Sequence, residues 1–144
     1  MATESAYVDT SVLGAYYCPE TLSSVAEEAI LRLASPVISH LSEIEFCSLV
    51  ARKCRLKELK KGQAREIVDL FSNHVAEGFY RRMPLTVEHF IKARTWIASM
   101  TSTLRTLDAL HLAAATSEGL DLITADLGFA HAAKSVNARA LLIR

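Results

Sequence analysis

Two rhythms of apolar and polar positions alternate along this chain. Short apolar runs are separated by longer stretches with apolar residues at helical spacing. Ser5 to Asp9 predicts a first strand and Thr10 to about Tyr17 a helix, which Pro19 breaks. Thr21 is placed to cap a second helix through Ala34, with Ile30, Leu31 and Leu33 among its apolar residues. Pro36-Val37-Ile38-Ser39 predicts a short buried strand. Helices follow from about Leu41 to Arg55 and from about Lys60 to Ala76, with Gly62 softening the start of the latter. Tyr80 to Leu85 reads as a strand and about Val87 to Met100 as a helix. Thr106 or Leu107 opens an alanine-rich helix that Gly119 ends. Leu120 to Thr124 predicts a strand, about Phe129 to Lys134 a short helix, and Ala138 to Ile143 a final strand.

Strands alternating with helices predict an α/β fold with a parallel sheet covered on both faces. Ligands of such sheets bind outside the carboxyl ends of the strands. Asp9 and Asp126 both follow predicted strands, so they belong on that edge. Asp108 falls in the first turn of its helix, where the macrodipole favours a negative charge by ~0.3–1 kcal/mol.

The length of 144 residues suits one domain with one good core, and 51% apolar content with a positive mean hydropathy excludes a disordered chain. No apolar run approaches the ~20 residues of a membrane span. Met1-Ala2-Thr3-Glu4-Ser5 lacks the basic-then-apolar pattern of a secretory leader. Cys18, Cys47 and Cys54 have no paired ligand spacing and read as buried thiols in a reducing cytoplasm. A formal net charge of zero excludes a uniformly basic nucleic-acid binder. Arg52, Lys53, Arg55, Lys57, Lys60, Lys61 and Arg65 nevertheless cluster against the single acid Glu58. Such a cluster either attracts a polyanion or forms a solvated face.

The chemistry lies in carboxylates scattered along the chain: Asp9, Glu45, Asp108 and Asp126. A charge at the exit of a buried strand is awkward unless a cation awaits it, which points to a divalent metal site and hydrolytic phosphate chemistry. Each acid also has a purely structural reading. Asp9 and Asp108 are placed to cap helices, and Asp126 to bond its own turn. Glu45 has Glu43 as a rival, because Leu41, Ile44, Phe46, Cys47, Leu49 and Val50 make the segment apolar nearly all round. His111, at i+3 from Asp108, is either a general base or a hydrogen-bonded structural histidine. His40, His74, His89 and His131 have no zinc-ligand spacing. Trp96 either packs its helix or stacks on a base. Cys47 and Cys54 lie two helical turns apart, too far for a disulfide. The absence of a G-x-x-x-x-G-K-[ST] loop excludes a P-loop triphosphatase.

Asp9-Thr10-Ser11-Val12-Leu13 after an N-terminal strand resembles the opening motif of PIN domains. Ser42-Glu43-Ile44-Glu45-Phe46-Cys47-Ser48-Leu49 is similar to their second motif, with Glu45 at the acidic position. Asp108-Ala109-Leu110-His111-Leu112-Ala113-Ala114 is similar to the third, and Thr124-Ala125-Asp126 to the fourth. The resemblance spans essentially the whole chain in the right order and is closest to VapC-type toxins of bacterial toxin–antitoxin pairs. It implies a three-layer α/β/α sandwich and a Mg2+- or Mn2+-dependent, cytoplasmic endoribonuclease. Asp9 and Asp108 are expected to bind the metal directly. Glu45 and Asp126 would hold a second ion or a water, while Thr10 or Ser11 and Thr124 orient the carboxylates. Water would attack a backbone phosphorus in line, and at least one carboxyl of the metal-free site should have a raised pKa. Arg52, Lys53, Arg55 and Lys57 are the candidate RNA contacts.

The resemblance also implies a VapB-like antitoxin whose tail blocks the acidic pocket, and a homodimer. The Val12, Leu13, Tyr16 and Tyr17 face and the Leu22–Leu33 region are the candidate surfaces for those contacts. Two other classes compete: a non-cleaving PIN-like module that binds RNA or protein, and another metal phosphohydrolase or DNA nuclease. The intact set of four acids argues against pure binding, which has no use for clustered negative charge.

Overall fold

The computed structural model describes residues 5–144; the reading of Met1–Glu4 as no secretory leader lies outside them. Five short strands form one sheet in the order β3-β2-β1-β4-β5, every neighbouring pair parallel. They are β1 (Ala6–Val8), β2 (Pro36–Ser39), β3 (Arg81–Met83), β4 (Asp121–Thr124) and β5 (Ala140–Leu142). β1 and β2 are buried along their whole length, as central parallel strands covered on both faces must be. The strands beyond β1 first step to one side, and β4 then returns to the other, so the topological switch lies between β1 and β4.

Helices α1 (Thr10–Tyr17), α2 (Ser23–Leu31), α3 (His40–Arg55) and α4 (Lys61–Ala76) pack a core with Val8 and Ile38 on one face. Helices α5 (Val87–Ala98), α6 (Thr106–Ser117) and α7 (Leu127–Lys134) cover the other, against Tyr7, Val37, Met83 and Leu122. Consecutive strand residues thus serve opposite cores, as the pleat dictates. The first core is aromatic, with Tyr17, Phe46, Phe71 and Tyr80 in ring contact. The second is built on alanine: α6 buries Ala109, Ala113, Ala114 and Ala115 against the sheet. Small side chains let that helix approach closely and carry Asp108 to the sheet edge.

Local chemistry explains where the boundaries depart from the hydrophobic pattern. Thr21 does not cap α2; Ser23 does the turn's bonding, accepting from the Glu20 amide at 3.0 Å and donating to the Cys18 carbonyl at 3.0 Å. The helix ends at Leu31 rather than Ala34, and Leu33 turns into the first core. The helix α3 opens on a capping box in which Ser39 and Ser42 each accept the other's amide. A second box, Thr86 with His89, starts α5 and gives that buried histidine a structural role. The helix α5 stops at Ala98, and exposed Met100 takes φ 61°, a left-handed conformation that terminates helices. The helix α7 starts at Leu127 because Asp126 caps it.

Two surface expectations are corrected. Val12, Leu13 and Tyr17 are buried in the first core and cannot form a docking face; Tyr16 packs against the same core, and in α2 Ala26 and Ile30 point inward. Of the cysteines only Cys18 is buried, while Cys47 is exposed and Cys54 half-buried. Trp96 packs against the second core with Lys92 over its ring at 5.7 Å. Among the described residues no helix is long and apolar enough to cross a membrane.

Candidate active site

At the carboxyl edge of β1 and β4 the chain opens a cleft of about 360 Å³. Asp9, Glu45, Asp108 and Asp126 all line it, together with Thr10, Ser11, Ser48 and Arg52. Parallel pairing of β1 with β4 puts Asp9 beside the Thr124-Ala125-Asp126 turn, and the Asp9 amide donates to the Ile123 carbonyl at 2.9 Å. The first turn of α6 delivers Asp108, and the second turn of α3 delivers Glu45.

Asp9 precedes α1 but makes no side-chain cap bond. Its Oδ2 instead accepts from Ser11 Oγ at 2.6 Å and Thr124 Oγ1 at 2.9 Å. These tethers are themselves fixed: the Ala125 amide donates to Ser11 Oγ, and the Asp126 amide to Thr124 Oγ1. Both tethers fall on one oxygen, so Asp9 is aimed, and among the described residues no donor bonds its Oδ1. Glu45 repeats the arrangement. Thr10 Oγ1 donates to its Oε1 at 2.9 Å, and His111 Nε2 bonds the same oxygen, while among the described residues no donor bonds Oε2. Asp126 is the most exposed acid of the set, and its Oδ1 accepts from the Phe129 amide at 3.1 Å. For this residue the turn-bonding role and the place in the cleft hold together.

Glu43 points elsewhere. It pairs with Arg82 at the end of the sheet, 3.5 Å away, and the same guanidinium reaches His40. Glu45 is therefore the glutamate of the cleft.

The electrostatics follow from this grouping. Burial, then the charges of Asp9 and Asp126, push the Asp108 carboxyl up to about 6; His111 opposes the shift and Glu45 adds to it. Burial alone would also raise Glu45, but its hydrogen bond to His111, the electrostatic pull of that ring and the bond from Thr10 outweigh the burial and leave it lowered. Asp108 thus keeps its proton to a higher pH than an ordinary aspartate while Glu45 stays ionised, the pattern of carboxylates crowded without a counter-charge.

The donor set fits a hard divalent cation. It is made of oxygens, and two of its acids are tethered by one oxygen each with the other free. Among the described residues no group of three or more His, Cys, Asp or Glu side chains is already gathered to hold a metal ion, so the protein alone would supply few of the ligands. Magnesium-type ions suit such an open site, since they take one or two carboxylates and keep several waters.

The basic run divides on inspection. Arg52 lines the cleft. Lys53 is drawn toward Glu58 at 3.8 Å, Arg55 is exposed, and Lys57 serves the turn after α3 with φ 61°. Arg105 was missed by sequence reasoning. It lines an adjoining cavity of about 210 Å³ that shares Asp108 and Asp126 with the main cleft. The available signal was its position, a cation immediately ahead of the third acidic motif. Gly128 lines the same cavity, and a Cβ there would come within 3.2 Å of Asp126 Oδ1.

A five-stranded parallel α/β/α sandwich with an acid cluster at its switch point defines a class of protein. This chain belongs to the PIN domain family, whose model matches residues 6–135. No curated protein matches its sequence. Among solved structures it is similar to VapC20 of Mycobacterium tuberculosis, a toxin that cleaves the sarcin–ricin loop, with 17% identity, TM-score 0.69, and 90% of this chain and 95% of that one covered. It is similar to VapBC2 of Rickettsia felis bound to a promoter DNA fragment, with 16% identity, TM-score 0.66, and 99% and 100% covered. A toxin–antitoxin complex of Klebsiella pneumoniae shows 17% identity, TM-score 0.58, and 84% and 86% covered.

Proposed function

We propose that this chain is a metal-dependent endoribonuclease acting as the toxin of a toxin–antitoxin pair. The observation that carries the reading is the single cleft lined by Asp9, Glu45, Asp108 and Asp126, with Asp9 and Glu45 each held by one oxygen and free at the other. Membership of the PIN domain family supports nuclease chemistry, and the likeness to an RNA-cleaving toxin and to toxin–antitoxin complexes supports the biological role.

Asp9 and Asp108 hold Mg2+ or Mn2+, aimed by Ser11, Thr124 and the first turn of α6. When bound, the cation supplies positive charge that offsets the charge growing on the attacking and leaving oxygens of a phosphodiester. Glu45 Oε2 and Asp126 hold a second ion or orient the attacking water. Arg52 at the cleft and Arg105 beside it attract the RNA backbone by charge, which positions the strand without reading its sequence. Unpaired RNA is the substrate form suited to an open cleft, because its backbone and bases are reachable. A VapB-like antitoxin would neutralise the cleft in the cytoplasm, and the active unit would be a homodimer.

One assay tests the reading. Purified protein is incubated with structured RNA, DNA or a phosphate monoester, with Mg2+ or with chelator. The expected result is RNA cleavage that chelation abolishes. Cleavage of DNA or the monoester instead would make it another phosphohydrolase. RNA retention without cutting would make it a binding module.

A further inference from the structure

His111 is fully buried on α6, and both ring nitrogens are engaged. Its Nδ1 lies 2.5 Å from the Tyr7 hydroxyl, and its Nε2 contacts Glu45 Oε1. Tyr7 in turn meets Ser39 Oγ at 2.8 Å and Ser42 Oγ at 3.3 Å, the two hydroxyls of the box that opens α3. The Tyr7 and His111 rings lie 5.4 Å apart at 53°, so the imidazole plane is held from the side as well.

The hydrogens can be assigned around this chain. A phenol keeps its proton at neutral pH, so with the imidazole neutral Tyr7 donates to His111 Nδ1. The serine hydroxyls then donate to the Tyr7 oxygen. The imidazole proton sits on Nε2 and is donated to Glu45, which Thr10 bonds on the same oxygen. Every donor has an acceptor, and the chain runs from the start of α3 through β1 and α6 back to Glu45 of α3. Any buried imidazole needs both nitrogens matched; what sets this one apart is that its chain ends on a carboxylate of the cleft.

We propose that His111 is a positioning residue which, anchored by Tyr7, holds Glu45 by Oε1 and so presents Oε2 alone to the cation and water of the cleft. This rests on the metal-dependent reading above. Partners of this kind typically change metal affinity ~10–100-fold when removed.

The test is calorimetric titration of Mn2+ into the full chain without RNA, with circular dichroism as the check on folding. The amide of His111→Asn can replace Nδ1 toward Tyr7 but falls short of Glu45. The longer His111→Gln puts its amide nitrogen near the position of Nε2. The Asn variant should bind Mn2+ at least about tenfold more weakly, and the Gln variant should recover most of that loss. In a Glu45→Ala background the Asn substitution should cost nothing further, because its effect passes through Glu45. A folded Asn variant that binds Mn2+ as the native chain does, or whose loss adds in full to that of Glu45→Ala, overturns the role. If Asn at this position prevents folding, Tyr7→Phe takes its place: weaker Mn2+ binding supports the anchor, and unchanged binding overturns it. If the native chain takes up no Mn2+, the proposed function falls as well. If it binds Mn2+ and the variants bind equally, only the positioning role falls.

Discussion

Among the described residues two tyrosine–histidine couples stand out, one on each face of the sheet, the first half-buried at its histidine and the second fully buried. In the first core Tyr17 bonds His74 at 2.6 Å and Tyr80 at 2.8 Å, enclosed by Phe46 and Phe71. Burial raises the phenols of Tyr17 and Tyr80. This couple joins α1, α4 and the approach to β3, and no carboxylate bonds it. In the second core Tyr7 and His111 make nearly the same bond, but the chain continues to Glu45. The same pair of side chains is therefore a clasp where it ends among aromatic rings and an aiming device where it ends on an acid. Residue type alone does not separate the two; what lies at the far nitrogen does.

Experiments that separate stability from metal chemistry sharpen this contrast. The largest effect belongs to the acids themselves. Asp9→Asn or Asp108→Asn should lower metal-dependent RNA cleavage by more than the ~100-fold typical of outer partners. Full retained cleavage by either variant, measured in single-turnover assays, would sink the mechanism. Next comes the clasp. Tyr17→Phe strands His74 and Tyr80 and should destabilise the protein by ~1–3 kcal/mol in urea unfolding, with Mn2+ affinity unchanged in the folded fraction. A Tyr17→Phe variant that loses Mn2+ affinity would erase the distinction between the couples.

A smaller effect tests the crowding of the acids. With its folded pKa raised from 3.8 to about 6, Asp108 binds its proton more tightly folded than unfolded. Its contribution is therefore favourable below the unfolded value and is lost as pH rises through about 6. Metal-free Asp108→Asn should be more stable than the native chain at pH 7 by on the order of 1 kcal/mol, allowing for solvent screening in the open cleft. The gap should open between pH 4 and 6 and stay flat above. A gap that widens instead toward acid pH would reverse the sign and refute the repulsion. The smallest effects lie at the rim: Arg52→Ala should weaken RNA binding several-fold for all sequences and reduce the salt slope by about 1, whereas Lys57→Ala should change little. Equal effects at both positions, read by filter binding at several salt concentrations, would mean a diffuse basic face.

Much of the architecture could be read from the chain because its signals are local. The apolar runs at Ala6–Val8 and Pro36–Ser39 mark central strands, and acids following strands fall on the carboxyl edge of a parallel sheet. The choice between Glu45 and Glu43 could not be read, since α3 is apolar nearly all round. It is decided by Arg82 on a strand far along the sequence, which draws Glu43 away. For His111 the sequence leaves two readings open, a general base or a hydrogen-bonded structural histidine, and its partners could not be read because Tyr7 and Glu45 lie 104 and 66 positions away. Thr21 misled because capping depends on which hydroxyl reaches a free backbone group, and Ser23 reaches two. Val12 and Leu13 looked available only because their burial depends on helices not yet placed.

The pairing of β1 with β4 has a consequence in time. One of the two hydroxyls that aim Asp9, that of Thr124, is synthesised 115 positions after it. At ~5–20 residues per second a ribosome takes on the order of ten seconds to cover that distance. Throughout that interval Asp9 has β2 and Ser11 to hand but lacks β4 and Thr124, so a nascent chain cannot complete the cleft until the β4 segment has been made.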